Sequence, residues 1–267
     1  MSRSCVLLTS TMRLKTTEDI ELMAQGGAIL GEILERLRQA TKPGITGQEL
    51  DQKAQAWIKE AGCEPAFLGY APDGHRAFPA ALCVSVNSAV VHGLPNTTPF
   101  QEGDIVGLDL GLIYKGLFLD AARTVPVGKI SEADQLLLDV TLKSLELGIA
   151  AAHVGNRIGD IGAAIQNYSE EKGFAVVRQL VGHGVGYAVH EAPQVPNFGR
   201  AGRGLKLQEG LVIAIEPMVT RGSPLVMTSE DDWTIETANG ERAAHEEHTV
   251  AITANGPRVL TLPRSRS

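Results

Sequence analysis

The sequence predicts an α+β protein built from two similar halves, and two observations carry this prediction. First, segments with helical periodicity alternate with strand-like apolar runs along the 267-residue chain. Second, a shift of 111 residues aligns Gly44 with Gly155 and Gly62 with Gly173, at the two ends of predicted helices. A chance alignment of two amphipathic helices is the alternative, but the repeated order of helix pair, glycine and strands favours duplication. We therefore expect two α+β halves about a pseudo-twofold axis, with a site between them.

Four helices are predicted from apolar periodicity and capping residues. Apolar side chains between Ile20 and Leu37 recur at steps of three and four, which gives the first helix one buried face. A capping box formed by Thr46 and Glu49 opens the second helix. The first predicted helix starts at Thr16 or Thr17 and ends before Lys42, and the second runs from Thr46 to Gly62. The third runs from near Ser131 to about Ala151, and the fourth from about Asn156 to Gly173.

Strands are predicted wherever short runs of aliphatic residues stand between the helices. Such runs are too short for helices and are bounded by turn-forming residues. The predicted strands cover residues 81–86, 105–110, 211–215 and 249–252.

Composition excludes several classes of protein. The net charge of −7 argues against general nucleic-acid binding, and no apolar run approaches the ~20 residues of a membrane span. The three cysteines, Cys5, Cys63 and Cys83, are odd in number and lack metal-site spacing, which favours free thiols over a disulfide framework. We expect a cytoplasmic protein with no membrane association and no specific nucleic-acid partner.

The N-terminal residues differ in composition from the rest of the chain. The first 17 residues contain no acidic residue and carry Arg3, Arg13 and Lys15, which faintly resembles a transit peptide. A short, poorly ordered extension, or translation that begins at Met12, is the simpler interpretation. We therefore predict an extension over residues 1–11 and a single catalytic domain over residues 12–267.

Histidines and isolated acids in apolar surroundings indicate a metal site. His183 and His190 lie seven residues apart, and glycines flank His183 on both sides. Ionised carboxylates are rarely buried unless they are paired or bind a metal, because their desolvation costs several kcal/mol or more. A set of one histidine and several carboxylates suits Mn, Fe, Co or Zn. The acids found in strand-like runs are Asp109, Asp120, Glu216 and Glu247.

Two of these acids are predicted to meet on a hairpin. Asp109 and Asp120 are eleven residues apart, and the dipeptide Lys115–Gly116 between them is typical of a tight turn. A strand, this turn and a returning strand bring both carboxylates towards one point. The spacing alone is weak support for a metal site, since an acid near a strand end is more often a turn or cap residue.

Longer motifs resemble one known family. The stretch Gly155-Asn-Arg-Ile-Gly-Asp-Ile-Gly-Ala-Ala-Ile-Gln166 is followed by Gly182-His-Gly-Val-Gly186 and His190-Glu-Ala-Pro-Gln-Val-Pro-Asn197. Together with four shorter motifs, these stretches resemble type I methionine aminopeptidases over residues 12–262. The shorter motifs are Ser85–Asn87, His92–Pro95, Ile215–Met218 and Glu247–Thr249. The resemblance implies the pita-bread fold, a duplicated α+β domain around a central dinuclear metal site.

The resemblance also implies a role for each acid. Asp109 would bind one metal ion and His183 the other, while Asp120 and Glu247 bridge two divalent ions of Co, Mn, Fe or Zn. Glu216 would be the fifth ligand and the proton acceptor for the attacking water. A metal-bound hydroxide would then attack the scissile carbonyl.

Two further histidines are implied to act on the substrate. His92 would hold or protonate the amide nitrogen of the scissile bond, and His190 would bind the substrate carbonyl and stabilise the oxyanion. The resemblance places a methionine pocket at Tyr70, Phe78, Cys83 and Trp233. The match departs from the family where Val189 replaces a common aromatic residue and where the segment from Tyr70 to Phe78 is longer, which puts the shape of the pocket in question.

The function that the resemblance implies is removal of the initiator methionine from nascent chains whose second residue is small. Nascent polypeptides would be the partners, with transient contact to the ribosome, and the enzyme would be a monomer. Two alternatives stay open at this point. One is an Xaa-Pro peptidase on the same fold, with which Asp109-Leu-Gly and Ala-Arg-Thr124 are compatible; the other is a non-catalytic binding protein, although such proteins usually lose metal ligands.

Overall fold

The computed structural model describes residues 12–72 and 76–264, so the extension predicted over residues 1–11 lies outside the described residues. The helices are Thr17–Ala40 (α1), Gly47–Glu60 (α2), Glu132–Ala150 (α3) and Ile158–Glu171 (α4). They match the four helices predicted from periodicity to within two residues at every end. None of the helices in the described ranges is both long and apolar enough to cross a bilayer.

The strands are more numerous than the sequence predicts, and β4 and β14 below extend beyond their predicted runs. In chain order they are Glu64–Pro65 (β1), Leu82–Val86 (β2), Ala89–Val91 (β3), Ile105–Tyr114 (β4), Leu117–Pro126 (β5), Ala175–Val176 (β6), Gly182–Gly184 (β7), Glu191–Val195 (β8), Val212–Ile215 (β9), Met218–Thr220 (β10), Val226–Thr228 (β11), Ile235–Thr237 (β12), Ala243–His245 (β13), His248–Thr253 (β14) and Gly256–Val259 (β15). The predicted strands correspond to β2, β4, β9 and β14, and the predicted returning strand is β5.

The helix starts follow from side-chain caps. The Thr16 hydroxyl accepts a hydrogen bond from the Asp19 N–H, and the Asp19 carboxylate accepts one from the Thr16 N–H, which closes a capping box at α1. Thr46 and Glu49 form the same box at α2. The side chain thus satisfies backbone donors that have no partner within the helix, so both starts are fixed by local sequence.

The internal duplication is visible in the elements themselves. An offset of 111 residues carries α2 onto α4, each 14 residues long, and carries β1 onto β6. The glycines aligned in the sequence share their backbone conformation, with φ of 90° at Gly44 and 93° at Gly155, and 70° at Gly62 and 83° at Gly173. L-residues with a side chain rarely adopt this region. The two halves therefore repeat both a helix and the turns at its two ends.

Each half builds its own sheet. In the first half, β4 pairs antiparallel with β5 along its whole length and with β2 and β1 on its other edge. In the second half, five strands follow the order β15-β14-β9-β7-β8. Two three-stranded sheets, β13-β10-β6 and β11-β12-β3, complete the architecture. Helices α1 and α2 pack on the first sheet and α3 and α4 on the second, so each half has its own apolar cluster.

The halves meet where β5 lies beside the start of β14. The Thr249 hydroxyl donates to the Asp120 carbonyl at 2.7 Å and accepts from the Asp120 N–H at 3.1 Å. The Glu247 N–H donates to the Ala122 carbonyl at 2.9 Å. This junction brings one acid from each half to the same place, between the halves as the repeat predicts. Of the three cysteines, Cys63 and Cys83 are free and buried, and Cys5 falls outside the described residues.

Candidate metal centre and substrate pocket

The β4–β5 hairpin places Asp109 and Asp120 side by side. Lys115 and Gly116 form the predicted turn, with φ of 51° and 81°. Asp109 lies opposite Ala122, and Asp120 lies two residues before Ala122 on the same strand. Because residues two apart on a strand share a face, the two carboxylates are diagonal neighbours on one face of the sheet.

His183 sits in the middle of β7 between two glycines that its neighbours require. A Cβ at Gly182 would lie 2.4 Å from the Ala214 carbonyl oxygen, and one at Gly184 would lie 2.3 Å from the Ala192 carbonyl oxygen. The imidazole Nδ1 lies 2.9 Å from the Gly184 carbonyl oxygen. Since a carbonyl can only accept, Nδ1 carries a proton, which leaves Nε2 as the nitrogen whose lone pair can face a metal ion.

Glu216 and Glu247 stand at one end of the β9–β14 pair. His248 pairs with Ile215, so the residue after β9 and the residue before β14 are brought together. Glu216 Oε1 lies 3.5 Å from His183 Nε2. Glu247 is buried, 2% exposed, next to the β5 backbone. The second half thus presents two acids and a histidine towards the hairpin of the first half.

The five predicted ligands converge on one buried site. Ligand atoms of Asp120, His183 and Glu247 lie within 4.8 Å of one another. Burial raises the pKa of Asp109 to about 6, with a further rise from Glu216 that His245 offsets. The pKa values of Asp120 and Glu247 are raised well above the usual range, first by burial and then by the neighbouring carboxylates.

Several oxygens at this site have no partner in the protein. Among the described residues, Asp109 Oδ1, Asp120 Oδ1 and Glu247 Oε1 are buried and accept no hydrogen bond. An unsatisfied buried polar atom is costly, and several carboxylates close together repel one another. A divalent cation would remove both costs at once, and the set of carboxylates and one imidazole suits a first-row transition metal. The residues therefore fit a metal centre.

His245 is a site residue that the sequence analysis missed. It is buried at the end of β13, and its Nε2 lies 3.5 Å from Glu216 Oε2 and 4.0 Å from Glu247 Oε2. Burial lowers the pKa of His245, but the neighbouring carboxylates, Glu216 above all, outweigh this effect and raise it. The alternation of His245 and Glu247, which places both side chains on one side of an extended chain, is the signal that could have identified it.

His92 has a backbone conformation that is uncommon for residues other than glycine. Its φ is 57°, in the left-handed region, directly after β3. A Cβ at the next residue, Gly93, would lie 2.2 Å from the Val84 carbonyl oxygen, so the turn needs glycine there. Burial lowers the pKa of His92 to about 4, which keeps the ring neutral at pH 7. Its ring centroid lies 6.4 Å from that of Trp233.

His190 lies beside the ligand set on the loop between β7 and β8. Its ring centroid is 4.4 Å from that of His183. Its Nδ1 lies 2.8 Å from the Tyr70 hydroxyl oxygen. Burial, together with the neighbouring His183 and His92, holds its pKa well below the usual range. His190 is therefore a neutral imidazole with one nitrogen engaged by a tyrosine.

An apolar cluster forms a wall beside the acids. Phe78 and Trp233 meet edge to face, with ring centroids 5.1 Å apart. Cys83 lies opposite Asp109 in the β2–β4 pair, which joins this wall to the metal centre. Val189 is buried within the cluster. All four predicted pocket residues, Tyr70, Phe78, Cys83 and Trp233, lie in or against this cluster.

Comparison with known proteins identifies relatives over nearly the whole chain. The model of metallopeptidase family M24 matches residues 21–254. A methionine aminopeptidase of Clostridium perfringens is 50% identical over 249 residues, covering 93% of this chain and 98% of the relative. Methionine aminopeptidase 1 of Bacillus subtilis is 44% identical, covering 92% and 98%.

Solved structures show the same fold. A Thermotoga maritima methionine aminopeptidase superposes with a TM-score of 0.90 at 43% identity, covering 94% of this chain and 100% of that one. A Pyrococcus furiosus prolidase reaches 0.76 at 25% identity, and the chain spans 66% of its length. The predicted α+β pita-bread fold and the resemblance noted in the sequence are therefore confirmed.

Proposed function

The chain belongs to metallopeptidase family M24, and from this premise we propose that it removes N-terminal methionine from peptides whose second residue is small. The relatives that cover nearly all of the chain carry the name methionine aminopeptidase. The prolidase is a more distant and longer neighbour. The observation that carries the proposal is the convergence of Asp109, Asp120, His183, Glu216 and Glu247 beside an apolar wall.

The metal centre is proposed to hold two divalent cations, of Co, Mn, Fe or Zn. Four carboxylates and one imidazole offer enough donors for two ions, and ligand atoms of Asp120, His183 and Glu247 lie within 4.8 Å of one another. The cations would supply Lewis-acid activation of the attacking water and of the peptide carbonyl. Glu216, which lies within 3.5 Å of both His183 and His245, is assigned as ligand and as acceptor of the proton from the water.

Two neutral imidazoles are assigned to the substrate. A Tyr70 hydroxyl that donates to Nδ1 of His190 leaves Nε2–H free to donate to the developing oxyanion. His92 is neutral because its pKa is about 4, so it can accept a hydrogen bond from the scissile amide or, once protonated, deliver a proton to the departing nitrogen. Both assignments use the orientation that the protein itself imposes on the rings.

The apolar wall is assigned to the methionine side chain. An unbranched thioether suits a pocket of aromatic and small apolar groups, and sulfur makes favourable contacts with aromatic rings. Phe78 and Trp233 supply those rings. A charged side chain would lose its hydration there without a partner, so the pocket selects against it.

The wider setting of the reaction is also part of the proposal. Substrates would be nascent chains in the cytoplasm, met during transient ribosome contact, and the enzyme would act as a monomer. An exposed basic group on the loop after β8 supports a transient contact with the ribosome that does not depend on nucleotide sequence, since clustered cations bind phosphates. This group comprises Arg200, Arg203 and Lys206, with the Arg157 guanidinium donating to the Gly204 carbonyl at 2.8 Å.

The test is a substrate series on metal-reconstituted protein. Met-Ala-Ser should be cleaved far faster than Met-Leu-Ser, and Ala-Pro-Ala should be nearly inert, with activity lost on chelation and restored by Co²⁺ or Mn²⁺. Metal content measured on the same samples gives the number of ions per chain. A preference for Ala-Pro-Ala would favour an Xaa-Pro peptidase, and full turnover in demonstrably metal-free protein would overturn the proposal.

A further inference from the structure

The loop that carries His190 is held by the next residue in the chain. Glu191 is buried, and its Oε1 accepts hydrogen bonds from the backbone N–H groups of Tyr187 and Ala188. The carboxylate thus closes a tight loop over residues 187–191, which contains His190. Because Glu191 and His190 are adjacent, fixing this carboxylate also restricts the backbone that orients the imidazole.

The second oxygen of Glu191 is paired with a lysine far away in sequence. Lys15 Nζ lies 2.7 Å from Glu191 Oε2, and the two side chains are 1% and 3% exposed. The Lys15 ammonium also donates to the Arg13 carbonyl at 3.2 Å. Removing one partner of a buried ion pair leaves an uncompensated charge, which is strongly unfavourable. The loop is therefore stable in this form only while Lys15 is in place.

The segment around Lys15 is itself firmly attached to the domain. The Lys15 N–H donates to the Gly210 carbonyl at 2.7 Å. The Tyr187 hydroxyl donates to Asp19 Oδ2 at 2.7 Å, which ties the loop to the first turn of α1. A Cβ at Gly186 would lie 2.3 Å from Lys15 Cε, so only glycine allows the lysine to pass this close. The loop and the segment before α1 fit each other closely.

We infer that Lys15 is a positioning residue for the reaction, which acts through Glu191 to set the orientation of His190. His190 is then held from two directions, by the Tyr70 hydroxyl at the ring and by the Lys15–Glu191 pair at the backbone. The inference rests on the role proposed for His190. Small displacements of a group that binds the transition state cost rate, up to about 100-fold for 1 Å.

The test uses the full chain loaded with Co²⁺ and the substrate Met-Ala-Ser. Lys15→Met and Glu191→Gln should each lower kcat by about 10- to 100-fold, with KM and metal content within about twofold of the unaltered enzyme. Arg13→Met is the matched control, because Arg13 stacks on the Tyr187 ring at 3.9 Å in the same segment and uses only its backbone carbonyl towards Lys15. It should leave kcat nearly unchanged.

A double-mutant cycle separates positioning from general stability. In a His190→Ala background, Lys15→Met should cause no further loss of kcat, because its effect passes through the missing imidazole. A second loss of the same size would overturn the inference. If His190→Ala alone leaves kcat intact, the role proposed for His190 fails instead.

Amide exchange in metal-free protein tests the loop without any activity measurement. The Tyr187 and Ala188 amides should exchange faster in Lys15→Met and Glu191→Gln, while amides of β14 keep their protection. Should Lys15→Met fold poorly, Glu191→Gln carries the test, since it keeps Lys15 and an acceptor oxygen. Unchanged exchange at both amides in a folded variant would contradict the inference.

Discussion

The two sides of the site differ in how completely the protein satisfies their polar atoms. On the carboxylate side, buried oxygens of Asp109, Asp120 and Glu247 have no partner among the described residues. On the imidazole side, His183 and His190 each have one ring nitrogen engaged, by the Gly184 carbonyl and the Tyr70 hydroxyl. The carboxylate side depends on a cation, whereas the imidazole side is oriented by the protein. Substitutions on the two sides should therefore fail in different ways.

The largest effect is expected from the unsatisfied carboxylates, and two adjacent glutamates provide a matched pair. Glu247 Oε1 has no partner, whereas Glu246 accepts from the Thr124 N–H at 3.1 Å and lies 3.6 Å from the Arg123 guanidinium. Glu247→Gln should lose metal and reduce kcat/KM by more than about 10⁴-fold, since metal activation supplies several kcal/mol of transition-state stabilisation.

The control for this prediction is Glu246→Gln. It makes the same isosteric substitution at a neighbouring carboxylate that is also buried. Burial raises the pKa of Glu246 to about 7, but both of its oxygens face protein groups. This variant should keep its metal content, measured by atomic absorption, and most of its activity. Equal loss of metal in both variants would show that the unsatisfied oxygens do not mark the ligands.

A smaller effect is expected at the imidazoles, where binding and chemistry should separate. His183→Ala removes the proposed ligand and should lower metal content. His190→Ala should keep the metal and lose about 10²- to 10³-fold in kcat, the usual cost of one oxyanion donor. Metal titration followed by steady-state kinetics on the same preparations checks both. If His190→Ala lost metal and His183→Ala did not, the two roles would be reversed.

The same contrast explains what the sequence could predict. Helix starts at Thr16 and Thr46 and the turn at Lys115–Gly116 depend on neighbours within a few residues, so local patterns predict them. Strands of two or three residues, such as β6 and β13, exist only through pairing with distant segments and leave no periodic signal. The 111-residue repeat was predictable because the duplication preserved a helix and the glycines at both of its ends.

For the site, the residues found from sequence were those in recognisable motifs. Asp109, Asp120 and Glu216 stand out as acids in apolar runs, and the structure brings them together. Lys15 could not be recognised, because its partner Glu191 lies 176 residues away and nothing local marks the pair. His245 lacked a motif of its own between two alanines and two glutamates. The site residues that could not be predicted from the sequence are thus those that depend on contacts between distant segments.

The smallest effect is expected at His245, an imidazole that lies on the carboxylate side. Its Nε2 is 3.5 Å from Glu216 Oε2, and its backbone N–H is bound by the Thr124 hydroxyl at 2.9 Å. We expect it to orient Glu216 without binding metal itself. Removing a residue that orients a metal ligand typically lowers metal affinity or activity by about 10- to 100-fold. His245→Leu should therefore weaken one of these about tenfold, while His245→Gln, which keeps a donor towards Glu216, should change either by less than about threefold.

Metal affinity measured by calorimetry, with kcat on the same samples, distinguishes the outcomes. A loss of metal from His245→Leu as complete as that from Glu247→Gln would make His245 a ligand, and the division of the site into a cation-dependent carboxylate side and a protein-oriented imidazole side would then be wrong.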